Sequence, residues 1–450
     1  MSRISRALIA DSNLATLNEM AARLRPIGCL ALTETSASRI TRRARAERPD
    51  VVILGMAFTD SEQVQVAEEL KTDPVTRRIP LVLAGPDIQH VAIGGNLMAR
   101  LDGMVPLPIV AEELQAKLAA ALRLKIMRAE LLRRRVTFGR YGIDGFSGSD
   151  AQPAMPGRVL FVRPGHGQLA SQTDDLMGLL PATGQVDSVE RDNVLEALLK
   201  NRYDVVGILG AGAPDDVGLE LCRDIRRHSS MFHLPIVFFE PGTNGALRAG
   251  AFDSGASEVL GSPFDGGAVA RVLELAGRRA ALRTRLHADY KCGVNPETND
   301  PQTGLFAAHF LHKHLEILIE DAFRWDLSLS VVTCVVPQLV AIRRDHGHDA
   351  AAALQRNLAS LFSRLVRGED LCASLGDEKF CIVTPECSLD GVAPIMHRLR
   401  GVIDHTQFGV PDVNQPIMLH AELGSAGFKP GDTVESLLGR AQDAALRSAA

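Results

Sequence analysis

Aromatic side chains are scarce in this chain, with one Trp, three Tyr and 16 Phe among 450 residues. Trp325 and so few tyrosines cannot build the base-stacking platform of a single-stranded nucleic-acid binder. An excess of positive charge is missing as well. Forty-nine Lys and Arg face 54 Asp and Glu, for a net charge of −5. No general basic field is therefore available to hold nucleic acid, and any anionic ligand needs a local cluster of arginines. The seven cysteines, Cys29, Cys222, Cys292, Cys334, Cys372, Cys381 and Cys387, are scattered and odd in number, without Cys-x-x-Cys spacing. They read as reduced thiols, not as a disulfide frame or a zinc site. No uninterrupted apolar run comes near the roughly 18 residues of a membrane span, and the start carries no signal-peptide pattern. The expectation is a cytoplasmic protein with no membrane insertion, no nucleic-acid partner and no metal site.

What is present is enough apolar residue for about three ordinary domains. Two segments share one rhythm of short β-rich runs alternating with helical stretches. The first holds Arg6–Ala10, Pro49–Leu54, Ile79–Leu83 and Gly103–Val105, followed by Pro106-Leu107-Pro108. The second holds Arg158–Val162, Tyr203–Leu209, Leu234–Phe239 and Ala256–Leu260, followed by Ser262-Pro263-Phe264. Such alternation predicts a parallel sheet covered by helices on both faces. Gly139 to Gly157, rich in Gly, Ser, Asp and Pro, reads as a linker. Val272 to His287 reads as an Arg-rich helix leading into a third domain.

Both segments resemble the receiver domains of two-component response regulators. A receiver needs an acidic pair for Mg²⁺, an acceptor Asp after its third strand, a Ser/Thr after the fourth and a Lys before a Pro after the fifth. In the first copy Asp11 is followed by Ser12, and the acceptor position is Gly55. The Ser/Thr position falls at Ala84 or Gly85, and Leu107 precedes Pro108. Asp11 is either a relic metal ligand or, more simply, a solvated or helix-capping aspartate. In the second copy Arg163-Pro164 replaces the acidic pair and the acceptor falls on Leu209 or Gly210. Glu240 and Ser262 stand at the Ser/Thr and Lys positions, and Asp215 and Asp216 belong to the loop beyond the strand. Neither copy keeps phosphotransfer chemistry, so both are expected to serve as dimerisation or docking modules.

The third segment contains Arg367-Gly-Glu-Asp370-Leu-Cys-Ala-Ser-Leu-Gly376-Asp377-Glu378-Lys379-Phe380. It resembles the core of a GGDEF domain, the fold of diguanylate cyclases. In that family an Arg-x-x-Asp turn stands five residues ahead of the signature pentapeptide, and the same five residues separate Asp370 from Gly376. Asp300-Pro-Gln-Thr303-Gly304-Leu305 is similar to the family's opening, and Leu437 to Leu446 to its closing helix, so the resemblance covers about 150 residues. The signature itself, Gly376-Asp377-Glu378-Lys379-Phe380, departs from Gly-Gly-Asp-Glu-Phe. Alignment on Gly347-His348 puts Val335 and Pro337 at acidic positions near the metal. Arg343 and Ala352 then replace the guanine-reading Asn and Asp. Cyclase chemistry requires two metal-bound carboxylates, and Lys379 installs a cation where one belongs. No catalytic residue is expected to function, and Asp377 and Glu378 read as turn carboxylates.

The resemblance implies a different role for Arg367 and Asp370, the family's inhibitory site for the dianion cyclic di-GMP. An Arg fork bonds a guanine edge or phosphate, and the Asp accepts guanine N–H groups. A third arginine comes from the following helix, with Arg398 the better fit and Arg400 the fallback. The bland alternative is a surface salt bridge at the turn. Arg440-Ala-Gln-Asp443 matches the same pattern inside a helix, where an i,i+3 ion pair is expected. His309, His312 and His314 share one predicted helix but fit no metal motif. Arg133-Arg134-Arg135 reads as a solvated helix end.

The fold class expected is α/β: two doubly wound parallel-sheet receiver-like domains, then an α+β, nucleotidyl-cyclase-like GGDEF domain. The predicted boundaries are 1–127, a linker at 128–156, 157–285, and a degenerate GGDEF domain at 286–450. Receivers without acceptors ahead of such a domain resemble cyclic di-GMP effectors of the PopA type, whose domain order is shared with active polar cyclases of the PleD type. That resemblance implies a cyclic di-GMP-binding adaptor at the cell pole, with homodimerisation linked to ligand. Its implied protein partners are an RcdA-type adaptor, a CtrA-type cell-cycle regulator and the ClpXP protease, joined in regulated proteolysis. The rival reading is a scaffold that works without nucleotide.

Overall fold

The computed structural model describes residues 6–88, 90–143, 157–163, 169–180, 185–211, 217–228, 231–242, 245–291, 295–376, 378–410 and 415–448. It divides into two compact units, one built from residues 3–125 and 150–285, the other chiefly from 126–149 and 286–450.

The first unit holds two copies of one architecture. Strands β1 (Arg6–Ala10), β2 (Leu30–Glu34), β3 (Val51–Gly55), β4 (Leu81–Pro86) and β5 (Gly103–Leu107) alternate with helices α1 (Leu14–Leu24), α2 (Ala37–Glu47), α3 (Asp60–Thr72), α4 (Gly95–Met98) and α5 (Ala111–Gly139). All strand pairs are parallel, in the order β2-β1-β3-β4-β5. Every residue of β3 is buried, as a central strand covered on both faces requires. The second copy runs β6 (Arg158–Arg163), α6 (Leu169–Gly178), β7 (Gln185–Glu190), α7 (Val194–Lys200), β8 (Val205–Leu209), α8 (Val217–Arg227), β9 (Ile236–Glu240), α9 (Gly245–Asp253), β10 (Glu258–Gly261) and α10 (Gly266–Lys291). Its order, β7-β6-β8-β9-β10, repeats the first.

The two copies meet through a buried ionic network. Lys117 Nζ lies 2.8 Å from Glu113 and 3.0 Å from Glu258, while Arg248 and Arg279 complete the carboxylates' partners. Burial raises the Glu113 pKa, but the Lys117 and Arg248 charges outweigh it and hold Glu113 below the usual carboxylate range. Arg278 donates to the carbonyls of Met98, Ala99 and Leu101.

Asp11 is neither solvated nor a helix cap. It is 1% exposed, and its Oδ1 accepts the Asn13 N–H; Asn13 caps α1 instead. A Cβ on Gly55 would stand 1.7 Å from Asp11 Oδ2, and one on Gly85 would stand 2.2 Å from Met56 Sδ. The volume of an acceptor side chain is therefore filled by Asp11, and that over Gly85 by Met56. Burial raises the Asp11 pKa, with the Asn13 and Ala57 backbone contacts opposing it. Pro164, Asp215 and Asp216 lie outside the described residues.

In the second unit β11 (Phe306–Ala307), α11 (Ala308–Trp325), β12 (Leu329–Val335), α12 (Gln338–Leu365), β13 (Leu371–Gly376), β14 (Lys379–Pro385), α13 (Leu389–Asp404), β15 (Gln407–Phe408), β16 (Ile417–Met418), β17 (Glu422–Gly427) and α14 (Val434–Ser448) form an α+β domain. Its sheet order is β11-β13-β14-β12-β17, antiparallel apart from the β11–β13 pair. Helix α12 breaks at Gly347, whose φ of 86° favours glycine.

Three sequence expectations need correction here. The predicted linker does not start as one: α5 runs unbroken across residue 127 to Gly139, and residues 144–156 lie outside the described ones. Arg133 and Arg134 are buried, 9% and 5% exposed, not solvated. Arg133 finds Asp321 and Glu386, and Arg134 finds Glu130. Arg440 pairs with Asp432 and the Gly427 carbonyl, not with Asp443.

Candidate functional site

Two ends of the α+β domain bear on function. At one, β12 and β14 run antiparallel with Val335 directly opposite Lys379. The GGDEF resemblance implies metal carboxylates at these positions; the register puts an apolar residue against a cation. The β13–β14 hairpin is otherwise well formed. Gly376 takes φ 106°, a bulge lies between Ser374 and Gly376, and the Glu378 carbonyl accepts the Val336 N–H at 2.9 Å. Phe380 is 1% exposed and packs on Phe362 with ring centroids 5.0 Å apart, so it anchors the hairpin in the core. Ala352 is buried beyond the α12 break. Asp377 lies outside the described residues.

At the other end stands the turn between α12 and β13. Asp370 Oδ2 accepts the Arg367 N–H at 2.9 Å, and the Asp370 N–H donates to the Arg367 carbonyl at 3.1 Å. This reciprocal pair locks the four-residue turn, in the way short Asp side chains stabilise turns. The carboxylate is thus engaged with main chain. Asp370 is buried, while Arg367 is partly exposed.

Arg398 of α13 reaches this turn. It donates to the Leu365 carbonyl at the end of α12. Partial burial and then the neighbouring Arg367 cation push Arg398 below the usual guanidinium range, with Asp370 opposing them. Arg367, Asp370 and Arg398 therefore form one cluster of two cations and one anion, suited to an anionic ligand with a donor edge. Arg400 lies two residues on along α13, and among the described residues nothing joins it to the turn. Of the two arginines left open by the sequence, the structure brings in Arg398.

One residue at this end escaped sequence reasoning. Arg134 donates to the carbonyls of both Glu369 and Asp370, at 3.1 Å each, and to Glu130 at 2.8 Å. Its guanidinium lies 4.6 Å from the Tyr290 ring centroid and 5.6 Å from that of Phe306. Glu130 also meets His314 at 2.9 Å, and His314 meets Thr137 at 2.9 Å. No short motif signals such an arginine, because its carbonyl acceptors lie 235 and 236 residues away.

The histidines of α11 do not converge. His309 bonds the Glu297 carbonyl, His312 lies 4.0 Å from Glu435, and His314 is buried against Glu130. Among the described residues no group of His, Cys, Asp or Glu is arranged to hold a metal. No helix among them is long and apolar enough to cross a membrane.

Comparison with known proteins agrees with this division. Residues 297–450 match the family model described as diguanylate cyclase, GGDEF domain. The response regulator PleD of Caulobacter vibrioides is 23% identical over 461 aligned residues, covering 99% of this chain and 97% of PleD. The diguanylate cyclase DgcP of Pseudomonas aeruginosa is 24% identical over 185 residues, covering 39% of this chain and 27% of DgcP. The GGDEF domain of DgcB from Caulobacter crescentus, solved with c-di-GMP, is 20% identical. It covers 34% of this chain and 89% of that domain, with a TM-score of 0.33. Residues 297–450 thus form a GGDEF domain, and the chain as a whole has a PleD-like, receiver-plus-GGDEF architecture.

Proposed function

We propose that this receiver-plus-GGDEF chain binds cyclic di-GMP at the Arg367 turn, does not make it from GTP, and acts as a ligand-controlled adaptor for protein partners. The observation that carries this reading is the asymmetry between the two ends of the GGDEF domain. Arg367, Asp370 and Arg398 are assembled at one end. At the other, Val335 faces Lys379 where a metal would need two carboxylates.

A divalent cation bound to triphosphate needs hard oxygen ligands. An ammonium and an isopropyl group supply none, and the ammonium adds like-charge repulsion toward Mg²⁺. The Arg367 turn needs no metal. Two guanidiniums offset a dianion and offer planar donor forks, while an Asp can accept guanine N–H groups. The finer part of the proposal, an adaptor at the cell pole delivering a cell-cycle regulator for proteolysis, rests on the resemblance to PopA-type effectors.

Incubation with GTP and Mg²⁺, followed by chromatography of the nucleotides, tests the absence of turnover. The expected chromatogram contains GTP alone. A growing cyclic di-GMP peak would show a cyclase with rearranged ligands and overturn that half of the reading. Equilibrium binding of cyclic di-GMP tests the other half, and no binding would leave a nucleotide-independent scaffold.

A further inference from the structure

The Arg367 turn is held from behind by residues remote in sequence. Arg134 supplies donors to two successive carbonyls of the turn, Glu369 and Asp370. It projects from the distal end of α5, a helix that starts in the receiver-containing unit and whose residues 126–139 belong to the GGDEF-containing one. Tyr290, at the distal end of α10, stacks on Arg134 and donates its hydroxyl to the Met127 carbonyl at 2.7 Å. His287 completes the support, since a Cβ on Gly368 would stand 2.7 Å from its Cε1.

The distal segment of α5 is a built-in part of the GGDEF core. Met127 and Glu130 are 0% exposed and Phe138 is 1% exposed. Phe138 packs 4.9 Å from Phe310 and 6.1 Å from Phe306, centroid to centroid. The family match, residues 297–450, leaves this segment out.

We infer that Arg134 is a positioning residue for the cyclic di-GMP site, and that ligand binding at the Arg367 turn is coupled to docking of residues 126–139 on the GGDEF domain. The inference rests on the proposed ligand. The physical reason is that undocking removes donors from two carbonyls at the turn and separates His314 from Glu130 and Thr137. The turn then keeps only its internal Arg367–Asp370 bonds to hold its shape. A ligand that requires the turn in that shape favours the docked segment, and by linkage the docked segment raises ligand affinity to the same degree. Arg134 acts through main-chain carbonyls, so its effect is on the geometry of Arg367 and Asp370.

The test uses the full chain. Hydrogen exchange of wild-type protein, with and without saturating cyclic di-GMP, is expected to show at least tenfold slower exchange in residues 126–139 on ligand binding. Arg134→Ala, checked for an intact fold by circular dichroism, is expected to bind at least tenfold more weakly. A wild type that binds ligand with unchanged exchange in this segment overturns the coupling. A folded Arg134→Ala variant with affinity within twofold of wild type overturns the positioning role. A wild type that binds no cyclic di-GMP overturns the proposed function, and this inference with it. The exchange measurement does not depend on the variant folding.

Discussion

Gly55 and Asp11 show how a phosphoryl site closes. With no side chain at 55, the Asp11 carboxylate occupies the space an acceptor would need, 1.7 Å from a hypothetical Cβ. Restoring Gly55→Asp therefore forces two carboxylates into one volume, with steric overlap and like-charge repulsion. The variant should take up no phosphate from acetyl phosphate and should melt below wild type; stoichiometric aspartyl phosphate would show the pocket to be intact. Glu130 gives a second prediction. Burial alone would raise its pKa, but the His314 and Arg134 charges outweigh that and hold it at about 2, against an ordinary 4.5. A depressed carboxylate contributes stability that is present above pH 4.5 and is lost as pH falls toward 2. Glu130→Gln should therefore flatten the acid limb of the stability profile between those values. An unchanged limb in denaturant titrations would show that the pair adds nothing. Arg367 and Asp370 were legible in the sequence because a fixed offset to a second motif located them. Arg398 was legible only to within two residues on its helix, since spacing does not report which side chain turns toward the site. Arg134 was misread, because its neighbours in sequence are arginines while its acceptors lie at the far end of the chain.

At the scale of elements, pattern reading found the central strands and one edge of each parallel sheet, β5 and β10, and missed the other edge, β2 and β7. β3, β8 and β9 are buried throughout and read as continuous apolar runs. β2 and β7 are mostly half-exposed, Leu30–Glu34 and Gln185–Glu190, and their mixed polarity hid them. The start of the predicted 128–156 linker was misread for a related reason. Polar residues such as Glu130 and Arg134 look solvent-facing in a helix, yet here they satisfy one another inside a core. Two predictions belong to this scale. Phe138→Ala removes a buried ring from the Phe306–Phe310 cluster and should cost about 3–5 kcal/mol, read by denaturant unfolding of the GGDEF-containing unit; a loss under about 1 kcal/mol would mean the segment is not part of its core. Lys117→Met leaves Glu113 and Glu258 with one cation fewer inside the receiver pair. It should cost about 3–5 kcal/mol in denaturant unfolding of the receiver-containing unit, because breaking a buried network strands charge. An unperturbed unfolding curve would show the network to be dispensable.

At the scale of the whole molecule, a first receiver copy whose acceptor space is filled by Asp11, together with the proposed loss of turnover, leaves ligand binding as the proposed way for a signal to enter. A single chain of this kind changes state by binding a diffusible molecule better in one arrangement than in another. The central claim is that the Arg367 turn is where that molecule binds. Calorimetric titration of cyclic di-GMP into wild type and into Arg367→Gly tests it most directly. The account predicts micromolar or tighter binding by wild type and its loss in the variant, whose circular dichroism stays unchanged. Equal dissociation constants for the two proteins would contradict the account and place the ligand elsewhere.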